Sequence, residues 1–308
     1  MSPEEIAFIR GCLPQGRTDF AYYKDRYACE LLAEHVGSGM AVSELKRSRY
    51  AAWLEKPVVR AVLAACGDGV LRATALREYW PGSSLAFTLT LGQWGEGGRW
   101  WRCCDQVSRP GRNLVLQVNF GTDHDVEYGR LIKPGDDHPF VYDCHPVHAH
   151  RLTMSWARLD IDLDQRCAMI EELQTDWLRN AHIRQCGYED DGRYFIYGCR
   201  VGGDAESIRR YCTEVLAPYR TIWAEATLFA AIWFLHHELG IRDIWYHSDQ
   251  SGRRFKGFSG RCAPPRSIYE DLPRRFGGER TCAKPPFLWR KLTPHGRRQV
   301  RELPMYRL

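Results

Sequence analysis

Residues 169–177 read MIEELQTDW, an apolar, strand-like start that carries two adjacent glutamates and ends in an aspartate beside a tryptophan. On a regular extended backbone Met169, Glu171 and Leu173 share one face, and Ile170, Glu172 and Gln174 share the other. Whichever face meets the core, one glutamate points inward. A buried carboxylate without a partner is costly or takes up a proton. Two readings follow. The inward glutamate is a general base in a cleft, or it is a structural ion pair whose partner is Arg158 on the facing strand.

The surroundings fit a strand. LTMSWARLDIDL (152–163) and CAMIEEL (167–173) flank the polar turn Asp162–Arg166, the pattern of an antiparallel hairpin. Upstream, LAFTLTLGQW (85–94) alternates Leu85, Phe87, Leu89 and Leu91 with Ala86, Thr88 and Thr90. NLVLQVNF (113–120) sets Leu114, Leu116, Val118 and Phe120 against Val115, Gln117 and Asn119. RYFIYGCRV (193–201) adds a further strand. Downstream, Ile222–Leu235 is apolar nearly all round, which predicts a buried helix ending near Gly240. IRDIWYHS (241–248) then returns as a strand, and RSIYEDLPRRFG (266–277) as a last short helix. Residues 1–80 carry helical spacing with glycine stops. The expected fold is α+β: a helical lobe (1–80), a core (81–288) with a mostly antiparallel sheet and a central buried helix, and a basic C-terminal extension (289–308).

Composition excludes several classes. Hydrophobic residues make up 44% and charged residues 26% of 308, ordinary values for a folded chain. No apolar run is long enough to span a bilayer, and the start MSPEEIAF does not read as a secretory signal. A cytoplasmic protein without membrane contact is expected. The twelve cysteines include no C-x-x-C pair; Cys103 and Cys104 are adjacent and the rest scattered, as reduced core residues are. Walker A, dinucleotide-binding and nucleophile-elbow motifs are absent from the sequence.

The segment Ile170–Trp177, IEELQTDW, resembles the EIQSDW signature of a family found in phage polyproteins and stand-alone bacterial proteins. The resemblance extends over roughly residues 113–288 and includes SWARLDIDL, LGIRDIWYHS and PPRSIYEDLPRRFG. The signature marks a family and implies no particular reaction. The order of a glutamate-bearing strand, a long helix, GIRDIWYHS and SIYEDLPRRFG is also similar to the GNAT superfamily of N-acetyltransferases. That second resemblance implies a GNAT-like core, with Glu171 or Glu172 taking a proton from an amine and Tyr269 acting as acid. It does not carry coenzyme A with it: where that superfamily has a glycine-rich pyrophosphate turn, TDWLRNAHIRQCGY offers one glycine, Gly187. The cofactor stays unknown.

Other residues join the candidate site. Asp176 and Trp177 end the signature strand at a cleft, and His247 ends the strand of IWYHSD before the basic loop SDQSGRRFKG. His145, His148 and His150 in DCHPVHAH follow Asp143 and are weak metal-ligand candidates on a loop. From Arg253 to Leu308 there are fifteen Lys/Arg and four Asp/Glu, +11, against a total of +5. Arg253, Arg254, Lys256, Arg266, Arg274 and Arg275 are thus candidate contacts to a phosphate-bearing substrate or nucleic acid. The expected function is amine-directed group transfer on an acidic or nucleic-acid-linked substrate such as tRNA. The alternatives are a non-catalytic nucleic-acid-binding or interaction protein and a metal-dependent enzyme built on the three histidines. Sequence does not indicate the oligomeric state.

Overall fold

Alternation in the two upstream runs is realised as neighbouring strands of one large sheet. The computed structural model describes every residue except 15–16, 96–111, 137, 143, 184–187, 191–192, 197, 257–264 and 292–299. The strands are β1 (Arg17–Tyr22), β2 (Leu85–Trp94), β3 (Asn113–Phe120), β4 (Thr153–Asp162), β5 (Cys167–Gln174), β6 (Asp243–His247), β7 (Glu279–Thr281) and β8 (Met305–Arg307). Their spatial order is β1-β2-β3-β4-β5-β6-β8-β7. Every neighbouring pair is antiparallel except β5 and β6, which run parallel. A parallel pair needs a long crossover, and here it includes α4 (Asp176–Ile183), a small three-stranded sheet and α5 (Ala217–Trp233). The fold class is α+β.

The two sheet faces differ in chemistry. Phe87, Leu89, Leu91, Leu114, Leu116, Val118, Ala157, Leu159, Ala168 and Ile170 enter one apolar core. Helix α5 packs across β3, β4 and β5. Its buried residues surround the helix, which matches its sequence. The opposite face carries a hydrogen-bonded polar strip. Asn119 Nδ2 donates to Thr88 O (3.0 Å) and Thr90 Oγ1 (2.8 Å), Thr90 Oγ1 to Gln117 Oε1 (2.7 Å), and Thr153 Oγ1 to Asn119 Oδ1 (2.7 Å). These groups are buried, so the strip is stable only because each finds a partner.

Three expected boundaries change. β1 pairs along β2, and the main core runs from Met1 to Tyr306. Residue 80 therefore does not separate a helical lobe from the core. Residues 305–307 are not part of an extension, because β8 lies between β6 and β7. SDQSGRRFKG is not a loop through Lys256: Asp249–Lys256 is helix α6. Ser248 starts it, its Oγ accepting from Ser251 N (3.2 Å) while Ser251 Oγ accepts from Ser248 N (3.0 Å), a reciprocal cap. Cys103, Cys104, Asp143, Gly187, Arg297 and Arg298 lie outside the described residues.

Candidate active site

Regular alternation fails within MIEELQTDW. In the β4–β5 ladder Arg158 pairs with Glu172 and Leu159 with Ile170, so Glu171 is the extra residue of a β-bulge. Met169 belongs to the small cluster with Cys167 and Trp245, whereas Ile170 and Leu173 belong to the main core. The bulge turns Glu171 and Glu172 to one side of the sheet together. On the other edge, pairing of β5 to β6 ends at Ile170 opposite Tyr246. Pairing to β6 thus ends just before the glutamates, while pairing to β4 continues past the bulge to Gln174. β5 is open on the β6 side at the C-terminal end of the parallel pair, where open sheets form ligand crevices.

Arg158 holds both carboxylates. Its Nε lies 3.4 Å from Glu171 Oε2 and its Nη2 2.8 Å from Glu172 Oε2. Glu171 is fully buried, while the Glu172 side chain keeps a 14% exposed edge. Lys256, from α6, places Nζ 3.3 Å from Glu172 Oε2 and donates to Tyr269 Oη at 2.9 Å. Burial raises the pKa of Glu172, but Lys256 and Arg158 more than offset this and leave it lowered. Burial brings Lys256 down to about 8 despite the attraction of Glu172. Burial, then Glu172, pushes Tyr269 well up, so its hydroxyl keeps its proton.

His247 lies on the neighbouring strand end. Its Nδ1 is 3.0 Å from Ser251 Oγ, and its Nε2 and the Tyr246 hydroxyl are buried without a hydrogen-bond partner among the described residues. Burial, then Lys256 and Arg158, lowers its pKa well below the usual value, so the imidazole is neutral.

The loop before β4 brings in a residue that the sequence offered only as a weak metal-ligand candidate. Gln117 Nε2 donates to Pro146 O (2.8 Å), and Trp94 Nε1 to Cys144 O (3.0 Å). This fixes His145, whose Nδ1 lies 2.5 Å from Asp176 Oδ2. Gln174 Nε2 donates to the other Asp176 oxygen at 2.7 Å, as does Arg179 Nη2 at 2.8 Å. The short carboxylate contact assigns the ring proton to Nδ1 and leaves Nε2 as an acceptor; no described residue bonds Nε2. Trp94, Tyr142 and Trp156 surround the imidazole at ring-centroid distances of 5.7, 5.5 and 5.8 Å. The signature residues thus have separate tasks: Glu171 and Glu172 hold Arg158, Gln174 holds Asp176, and Asp176 holds His145.

Other expected residues are placed elsewhere. Trp177 is buried and donates from Nε1 to Tyr211 Oη at 2.8 Å, within an aromatic core, so it does not face a substrate. Arg275 reaches across to the buried Glu225 of α5, and Arg253 bonds Asp249 at 2.9 Å. Arg254 is exposed on α6. His148 and His150 pair with each other, His150 N donating to His148 Nδ1 at 3.1 Å. Among the described residues no group of three metal-ligating side chains comes together, and no helix is long and apolar enough to cross a membrane. Comparison with family models, curated proteins and solved structures yields no match.

Proposed function

We propose that this chain is a group transferase with a GNAT-like core that acylates an amine. The observation that carries the reading is a pair of side-chain groups on and just past β5, His145–Asp176 and Glu172–Lys256–Tyr269, with His145 near enough to act electrostatically on Glu172. The succession of glutamate strand, long helix, parallel strand and Tyr269 segment supports the same reading. Glu171, locked by Arg158, serves as scaffold, and Glu172 anchors Lys256.

His145 Nε2, oriented by Asp176, takes the proton of the acceptor amine as its nitrogen attacks the acyl carbon. The C–N bond forms and the bond from the acyl carbon to the donor's leaving sulfur breaks. Tyr269 protonates the leaving sulfur, and Lys256 returns a proton to Tyr269 along their hydrogen bond. The aromatic rings around His145 suit an acceptor that arrives as the neutral amine, whose free lone pair the attack requires. The basic residues after β6 suit an acceptor bearing acidic or phosphate groups.

The test is thiol release from simple acyl thioesters in the presence of a panel of amines. Release by the wild type, lost in His145→Gln and in Tyr269→Phe with the circular-dichroism spectrum unchanged, supports the assignment. Release that survives both substitutions overturns it. Tight, steeply salt-dependent RNA binding without release would instead identify a binding protein.

A further inference from the structure

A second concave site lies beyond the C-terminal end of β6. It is a cavity of about 330 Å³ lined by Asp249, Gln250, Arg266, Glu270, Arg274 and Arg280. Its floor is built around Glu270, whose side chain is 6% exposed. Glu270 Oε1 accepts from Asp249 N at 3.1 Å, and Oε2 from Tyr306 Oη at 2.7 Å and Arg274 Nη2 at 2.9 Å. Burial raises the Glu270 pKa, but Tyr306, the Asp249 amide, Arg280 and Arg274 leave it lowered. Asp249 is held by Arg253 Nε, 2.9 and 3.0 Å from its two oxygens.

Both carboxylates of the cavity therefore have cationic partners already. The guanidiniums of Arg266 and Arg280 have no hydrogen bond or ion pair to any described residue. Two guanidiniums with no directly bonded carboxylate at one concave site, Arg280 acting on Glu270 only at longer range, match a dianion, since the guanidinium fork binds phosphate oxygens in pairs. We infer that this cavity binds the phosphate of a small phosphate monoester, with Arg266 and Arg280 as the charge partners and the Gln250 amide as a further donor. A monoester is a dianion near neutral pH; a nucleic-acid phosphodiester has one charge, and strong nucleic-acid binding needs many such contacts along a track. The inference deepens the transferase reading and rests on it for the role of the phosphate, which marks the substrate. It assigns that role to Arg266 and Arg280, with Arg274 as the residue that positions Glu270.

The test is calorimetric titration of the full chain with inorganic phosphate, phenyl phosphate and a short single-stranded RNA. Saturable binding of phenyl phosphate, weakened at least about tenfold in the double variant Arg266→Gln/Arg280→Gln, is expected. Arg209→Gln, on the remote helix Ala205–Arg210, is expected to leave it unchanged. Absence of saturable binding overturns the inference, as does binding that the double variant leaves intact. RNA binding that the double variant weakens as much as phenyl phosphate binding overturns the monoester assignment. Thiol release is read on the same samples without phosphate. Failure of the binding titration and failure of the transfer chemistry are thereby separate results.

Discussion

Asp176 and His145 lie 31 positions apart in the chain, yet the carboxylate oxygen sits 2.5 Å from the imidazole Nδ1. Asp176 is at the start of α4 with its side chain 4% exposed, and His145 keeps 21% exposure. A buried acceptor behind a partly exposed imidazole fixes both tautomer and ring orientation. Asp176→Asn is expected to present an amide where the ring proton needs an anion. The transfer rate should fall by roughly 10²–10⁴-fold, as for loss of an oriented base, with KM little changed. A drop in kcat with the imidazole Nδ1 proton signal still at its wild-type position would show that Asp176 has only a folding role.

Arg158 is the common partner of the buried carboxylate of Glu171 and the largely buried one of Glu172. Arg158→Met leaves Glu171 and Glu172 facing each other with Lys256 as remaining cation. Removing one member of a buried ionic group typically costs about 3–5 kcal/mol. Urea unfolding at pH 7 should show that loss, and adding Glu171→Gln should recover part of it. Recovery is the informative result, because it separates uncompensated charge from lost packing. A single substitution costing less than about 1 kcal/mol, the range of an exposed pair, would contradict the buried triad.

Much of the fold was legible in residue alternation. Leu89, Leu116 and Val118 face the core as their spacing requires, and the hairpin of β4 and β5 turns at Asp162–Arg166. Alternation misjudged the glutamates, since a bulge at Glu171 has no local signature in MIEELQTDW; it sets both carboxylates beside Arg158. The role of His145 was not legible either, because it depends on Gln117 and Trp94 gripping a loop from strands far away in sequence. Arg275 and Lys256 resembled surface charges, and only the folded chain brings buried Glu225 and Glu172 to them. The helix start at Ser248 could have been read from S-x-x-S, with Asp249 in the first turn.

Glu34 on α2 (Arg26–Val36) gives an acid-range prediction. It bonds His236 at 3.2 Å and Arg242, both beyond α5. Burial raises its pKa, but His236 and Arg242 prevail and bring it down to about 2. A folded pKa below the unfolded one means stability is present above the ordinary carboxylate range and is lost as pH falls from about 4.5 towards 2. After discounting for solvent screening, Glu34→Gln should cost roughly 1–2 kcal/mol at pH 7. The difference between variant and wild type should shrink progressively below pH 4.5 and vanish near pH 2. Denaturant midpoints of both proteins across that range measure it, and a constant difference would contradict the pairing.

Lys256 gives the alkaline counterpart with the opposite sign. Its folded pKa of about 8 lies below the ordinary 10.5. Between these values the unfolded chain binds the extra proton, so stability contributed by this group rises with pH over that window. Below about 8 the cost of the buried ammonium is fully present. Wild type should therefore gain on Lys256→Met as pH rises from 8 to 10, provided both unfold reversibly. Glu172→Gln removes the anion that holds the ammonium charged and must lower the Lys256 pKa further. NMR titration of isotopically methylated Lys256 reads this directly. An unchanged or raised value in Glu172→Gln would mean that the 3.3 Å contact does not govern the lysine, and Lys256 could not act as proton source for Tyr269 in the way proposed.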